Sequence, residues 1–263
     1  MAELLNVILL GLIEGITEFL PISSTGHLLI AEHWLGHRSD LFNVAIQSGA
    51  ILAVVFIYWK RLWQLATGLG DAANRAYVLK LLVAFVITAV LGLIATKLGF
   101  KLPETVTPVA WALILGGVFM IGAEWFAAKQ PDRSEVTWLV AILVGIAQVV
   151  AGVFPGTSRS AATIFVAMLA GTSNRSAATE FSFLLGIPTM FAAAGYEFLK
   201  ANKAGAPHED WSALGVAFVV SLVTAFVAVK WLLGYIRTHR FTAFAIYRFV
   251  LGIALLLLLP AGV

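Results

Sequence analysis

Two stretches hold most of the residues that could do chemistry. The first is Glu14 and Glu18 followed by Pro21-Ile22-Ser23-Ser24-Thr25-Gly26-His27; the second is Pro155-Gly156-Thr157-Ser158-Arg159-Ser160. Arginine stays protonated, so Arg159, set in a sequence otherwise fit for lipid, calls for an anionic partner and marks a functional site. Pro155 ends an apolar run, and Gly156, Thr157 and Ser158 offer turn residues and N-cap hydroxyls to a helix starting near Ser160. Helix N-terminal N–H groups, these hydroxyls and a forked guanidinium all favour phosphate or carboxylate.

Glu14 and Glu18 are four residues apart and share one helix face. Two like charges this close persist in an apolar setting only when a cation neutralises them or one carboxyl holds a proton. A hard divalent ion, Mg²⁺ or Ca²⁺, suits two carboxylates with substrate phosphate as further ligand. The structural alternative is a Glu–Arg pair that merely locks two loops together; two carboxylates against one arginine favour the metal. His27, three residues after Ser24, is a candidate base or nucleophile for phosphoryl transfer, and Ser24 is the rival nucleophile. Ser23 and Thr25 are phosphate donors or helix caps, as are Thr157, Ser158 and Ser160. Arg159 would take the non-bridging phosphate oxygens and stabilise charge in the transition state.

The elements that must position these groups follow from composition. The chain has 263 residues, 60% of them hydrophobic and only 12% charged, too little polar surface to cover a water-soluble globule. The apolar runs are continuous, so the spanning elements are helices, since lipid cannot satisfy open backbone groups. The class expected is an all-α polytopic membrane protein. A net charge of +3 spread over loops argues against a nucleic-acid surface, and zero cysteines exclude disulfides, thiolate metal sites and cysteine nucleophiles. The N-terminus lacks a basic region ahead of the apolar run, and no cleaved signal is expected.

Residues 4–20 are too short to cross easily and stop at Pro21, which predicts a re-entrant half-helix returning to about residue 35. Spans follow at 42–58, 80–98 and 108–127, separated by polar loops. A second short stretch, 138–154, halts at Pro155 and returns through 160–169, and spans at 181–199, 211–233 and 244–259 complete the chain. The pattern is two halves, about 1–130 and 131–263, in a single membrane domain with six transmembrane helices and two re-entrant helix-loop-helix hairpins. Gly11, Glu14, Pro21, Ser23 and Ser24 fall on Gly145, Gln148, Pro155, Thr157 and Ser158 at a constant offset of 134. Three spans per half is odd, so the second half inserts upside down, an inverted-topology repeat whose two proline-broken tips meet near the midplane.

Loops 59–80, 128–137 and 230–242 with Arg175 carry ten Lys/Arg, against five on the other side: Arg38, Lys97, Lys101, Lys200 and Lys203. The positive-inside rule makes the first group cytoplasmic. Trp59, Trp63, Trp125, Trp138, Trp211 and Trp231 fall at span ends, as an interfacial belt requires. Arg248 is expected to snorkel to the cytoplasmic interface, and Glu124, Glu180 and Glu197 to meet water at span ends. The small-residue runs 192–195 and 116–117 are expected to permit close helix packing.

At these motifs the chain resembles the undecaprenyl-diphosphate phosphatases of the bacitracin-resistance type, along essentially its whole length. The family's acidic motif matches Glu14 to Glu18, its P-x-S-S-T-G-H stretch matches Pro21 to His27, and its P-G-x-S-R-S-x-x-T motif matches Pro155 to Thr163. The stretches 180–185 and 245–249 are familial as well, and Ala161 stands where relatives often carry Gly. The resemblance implies hydrolysis of the C55 isoprenyl diphosphate to the monophosphate in the bacterial cytoplasmic (inner) membrane, recycling the carrier lipid for peptidoglycan synthesis. It further implies divalent-metal dependence, bacitracin resistance on overproduction, and Gly156 and Thr163 within the phosphate-binding set. The site is expected to open to the outer face, and a homodimer is an open expectation. A transporter or flippase is the rival class, because inverted repeats with broken helices also serve carriers.

Overall fold

The computed structural model describes residues 2–100, 105–204 and 210–258; Leu259, the end of one expected span, and Lys101 lie outside them. Among the described residues the chain forms eleven α-helices and no strand. These are α1 (Ala2–Thr17), α2 (Ser24–Leu35), α3 (Asp40–Ile57), α4 (Trp59–Thr67), α5 (Ala72–Lys97), α6 (Val106–Ala127), α7 (Trp138–Val153), α8 (Arg159–Ala170), α9 (Arg175–Ala204), α10 (Trp211–Tyr235) and α11 (Thr242–Leu258). Five of them, α3, α5, α6, α9 and α10, are long and apolar enough to cross a bilayer. At 17 residues α11 falls just short of that length, at the lower edge of the ~17–25 residues a crossing helix uses.

Capping explains where several helices begin. Asp71 accepts a hydrogen bond from the Asn74 amide and starts α5 at Ala72, eight residues before the expected span, because a cap outweighs the polar Asn74, Arg75 and Lys80 that follow. Thr137 and Asp210 cap α7 and α10 in the same way. The segment expected as a polar loop after residue 58 contains α4, an amphipathic helix that buries Leu65 and leaves Trp59 and Trp63 exposed. The six tryptophans expected at an interfacial belt are all exposed. The run 192–195 lies largely exposed along α9 instead of seating a neighbour, because the buried residues of α9 fall between Ala178 and Met190.

The short helices come in matched pairs: α1 and α7 each have 16 residues, α2 and α8 each have 12. α1 packs on α10 and α7 packs on α5, while α6 lies along α11 and α3 along both α9 and α10. The main core gathers where the first proline loop meets the second half. There Phe19, Leu20 and Ile22 join Phe165, Phe181 and Phe183. Smaller clusters tie α1, α2, α3 and α10 through Val7, Leu28, Ile46 and Ala217, and α6 and α11 through Val109, Leu113 and Leu255.

Candidate active site

Each proline loop ends on a serine in the left-handed backbone region, Ser23 with φ 75° and Ser158 with φ 68°. A residue with a Cβ holds that conformation at a cost of roughly 1–3 kcal/mol, which the surrounding contacts must offset. Both serines cap the helix that follows. Ser23 Oγ accepts from the Gly26 amide and Ser158 Oγ from the Ala161 amide, each at 3.3 Å. The caps lie 135 residues apart, so beyond the prolines the structural correspondence is Ser23 with Ser158 and Ser24 with Arg159. The constant offset of 134 read from the sequence therefore breaks at the loops: Gly156-Thr157 in the second stands where Ile22 alone stands in the first. Gly156 absorbs the extra residue at φ 88°, where a Cβ would come within 2.7 Å of the Val109 carbonyl.

The two helix starts face each other across Glu18. Ser24 Oγ donates to Glu18 Oε2, and an Arg159 terminal nitrogen lies 3.9 Å from Glu18 Oε1. Glu18 is buried while a third of Arg159 remains accessible, so the guanidinium keeps donors free for an anion. Glu14 sits one turn back on α1 beside the Glu18 carboxyl and is fully buried. Neither of its oxygens meets a hydrogen-bond donor. A buried carboxylate with two unengaged acceptors, next to a second carboxylate, is a donor set that fits a hard divalent cation. Among the described residues no group of three or more His, Asp or Glu converges, so protein ligands beyond this pair would have to come from hydroxyls or carbonyls.

A small polar cavity of about 30 Å³ lies at this junction, lined by Glu18, Ser23, Ser24, Thr25, Gly156, Ser158 and Arg159 with Ala151. The other expected residues have different stations. Ser160 donates to the Leu20 carbonyl and stitches α8 to the first loop. Thr163 donates back to the Arg159 carbonyl within α8. Thr157 lines a second, apolar cavity of about 630 Å³ between α6, α7 and α8, with Ala112, Ala147, Ala161 and Ala162. His27 does not line the polar cavity; its ring lies between the Ser23 carbonyl and the Tyr247 hydroxyl.

Arg248 corrects the sequence reading most. It is fully buried and does not reach an interface. Nε donates to Leu113 O, one terminal nitrogen to Pro21 O and Thr157 O, and the other to Ala112 O and Gly156 O. All five guanidinium N–H groups are thereby matched to backbone carbonyls of both proline loops and of α6. The helical carbonyls are within reach because Gly116 has no side chain: a Cβ there would overlap the guanidinium. The signal in the sequence was an arginine inside an apolar helix, the rule that had already picked out Arg159. Glu124 is corrected too. It is buried, takes a bidentate grip from Arg175 at 2.8 Å and accepts from the Phe241 amide.

Apolar helices long enough to cross a bilayer, around a buried acid–hydroxyl–guanidinium junction, define a polytopic membrane protein with a polar centre. Comparison with known proteins narrows this. The profile of the family described as bacitracin resistance protein BacA matches residues 7–254, and the chain belongs to that family. It is 68% identical over 261 residues to a Rhizobium johnstonii protein named undecaprenyl-diphosphatase, covering 99% of this chain and 98% of the relative. A Xanthomonas euvesicatoria protein of the same name is 65% identical over 263 residues, covering 100% and 99%.

Proposed function

We infer that the chain is an integral-membrane undecaprenyl-diphosphate phosphatase. It hydrolyses the diphosphate of the C55 carrier lipid to the monophosphate and inorganic phosphate. The observation that carries this is end-to-end identity of 65–68% with proteins of that name. The same identity favours hydrolysis over the transporter alternative. A direct test is phosphate release from a long-chain isoprenyl diphosphate by the purified protein in detergent. Folded protein supplied with Mg²⁺ or Ca²⁺ that releases none would sink the reading.

Ser24 is the nucleophile this reading assigns, since its hydroxyl already points its hydrogen at Glu18 Oε2. Ser24 Oγ attacks the terminal phosphorus, the bond from that phosphorus to the bridging oxygen breaks, and undecaprenyl phosphate leaves with the electron pair. The Ser24 proton passes to Glu18, and water then cleaves the phosphoserine. Arg159 and the helix N-termini at Ser23 and Ser158 bind the non-bridging oxygens and the charge that builds on them. Glu14 and Glu18 would hold a divalent cation, whose chemistry is neutralisation of the diphosphate charge. Support for that cation lies in the unpaired, buried oxygens of Glu14.

The apolar cavity beside Thr157 supports a seat for the first isoprene units, because one loop lines both it and the polar junction. The paired helix lengths, the two strained serine caps and the exchanged packing of α1 on α10 and α7 on α5 support six crossing helices and two re-entrant hairpins in an inverted repeat. The charge bias of the loops supports a bacterial cytoplasmic membrane orientation with the first hairpin, and hence the lipid diphosphate, on the outer side.

A further inference from the structure

The Ser23 turn aims Ser24 at Glu18, and it is strained, so something must hold it. Its carbonyl lies 2.7 Å from His27 Nδ1, and His27 Nε2 lies 2.6 Å from the Tyr247 hydroxyl. The two rings stack with centroids 5.6 Å apart and 7° between their planes. A backbone carbonyl can only accept, so Nδ1 carries the hydrogen. In the neutral ring Nε2 is then the acceptor, and Tyr247 donates to it. Both ring nitrogens are spent on protein, and neither faces the polar cavity. The next residue of α11, Arg248, grips the Pro21 carbonyl at the other end of the same turn. Two consecutive side chains of α11 thus hold residues 21 and 23, one directly and one through an imidazole.

We propose that His27 serves as a strut and that Tyr247 is a positioning residue acting through it, so that the Tyr247–His27–Ser23 chain keeps Ser24 Oγ on Glu18. On this account the imidazole handles no proton of the reaction. The proposal rests on the phosphatase reading above, and its failure is distinguishable, because it is read from variants of a wild-type protein that is itself active.

The experiment measures kcat and KM for phosphate release by full-length protein in detergent, with unfolding temperature as the control for folding. Tyr247→Phe removes only the hydroxyl and should lower kcat about tenfold with KM within about twofold, the scale of one positioning hydrogen bond. Added to His27→Ala, it should cost nothing further. His27→Asn places an amide N–H where Nδ1–H stood, and His27→Gln an amide oxygen where Nε2 stood. Neither can act as base or nucleophile; Asn, which still holds the Ser23 carbonyl, should recover about tenfold of the rate lost in His27→Ala, whereas Gln, which keeps only the tyrosine contact, should not. Should His27→Ala not fold, the coupling of Tyr247→Phe is read on His27→Asn, which has already lost the tyrosine contact. An Asn variant as inactive as Ala, losses that multiply between positions 247 and 27, or a Tyr247→Phe rate equal to wild type would each overturn the proposal.

Discussion

Arg248→Lys is the substitution whose consequence can be worked furthest. The guanidinium makes five hydrogen bonds, to the carbonyls of Pro21, Ala112, Leu113, Gly156 and Thr157. Lysine keeps the positive charge but has three donors on one nitrogen, so at least two buried carbonyls lose their partner. At about 1–3 kcal/mol for each orphaned group, the loss is roughly 2–6 kcal/mol. Three of the five carbonyls, those of Pro21, Gly156 and Thr157, belong to the loops that lead into Ser24 and Arg159, and a shift of about 1 Å in such groups costs on the order of a hundredfold in rate. The assay is thermal unfolding in detergent beside phosphate release at saturating metal and substrate. Gly116→Ala is the independent check, because its Cβ would push into the same guanidinium from α6. A lysine variant with unchanged unfolding temperature and wild-type turnover would refute the idea that α11 holds the two loops.

Other outcomes follow from the site. Arg159→Ala should lower kcat by about a hundredfold or more, the usual cost of one preorganised charge-stabilising group, and Glu18→Gln, which removes the base for the Ser24 proton, should cost about a hundredfold or more as well; both are read in the same phosphate assay. EDTA should abolish turnover, and excess Mg²⁺ or Ca²⁺ should restore it. Glu14→Gln should lose the rise in unfolding temperature that the metal gives to wild type, a readout free of substrate. Ala112→Leu narrows the apolar cavity and should raise KM about tenfold for the C55 diphosphate and for a C15 diphosphate alike, since both carry the first isoprene units, as displacement of one or two isoprene methylenes predicts. Glu124→Ala strands the partly buried Arg175 guanidinium and the Phe241 amide, and should lower stability by about 2–3 kcal/mol in thermal unfolding with little change in KM.

The sequence alone determined the class of fold and half of the site, for reasons local to the chain. An apolar run of fixed length can only be a helix in lipid, and Pro21 and Pro155 must end the helices before them, so the order of helices was legible. Ser24, Glu18 and Arg159 were legible because hydroxyls, a carboxylate and a guanidinium are costly at that depth without a partner. Helix starts were less so: α5 begins at a cap and α4 is amphipathic, and neither stands out in hydropathy. What only tertiary structure decided is who partners whom. Arg248 read as a residue bound for the interface, yet its five acceptors come from three separate stretches, around residues 21, 112 and 156, and carbonyls carry no side-chain signature that a sequence can display. His27 read as a candidate base or nucleophile, and only the approach of α11 shows Tyr247 on one nitrogen and the Ser23 carbonyl on the other. The register of the two loops was decided the same way: identical or similar letters suggested one offset, but the caps that backbone geometry selects lie one residue further on, which sets Arg159 after its cap as Ser24 stands after the first.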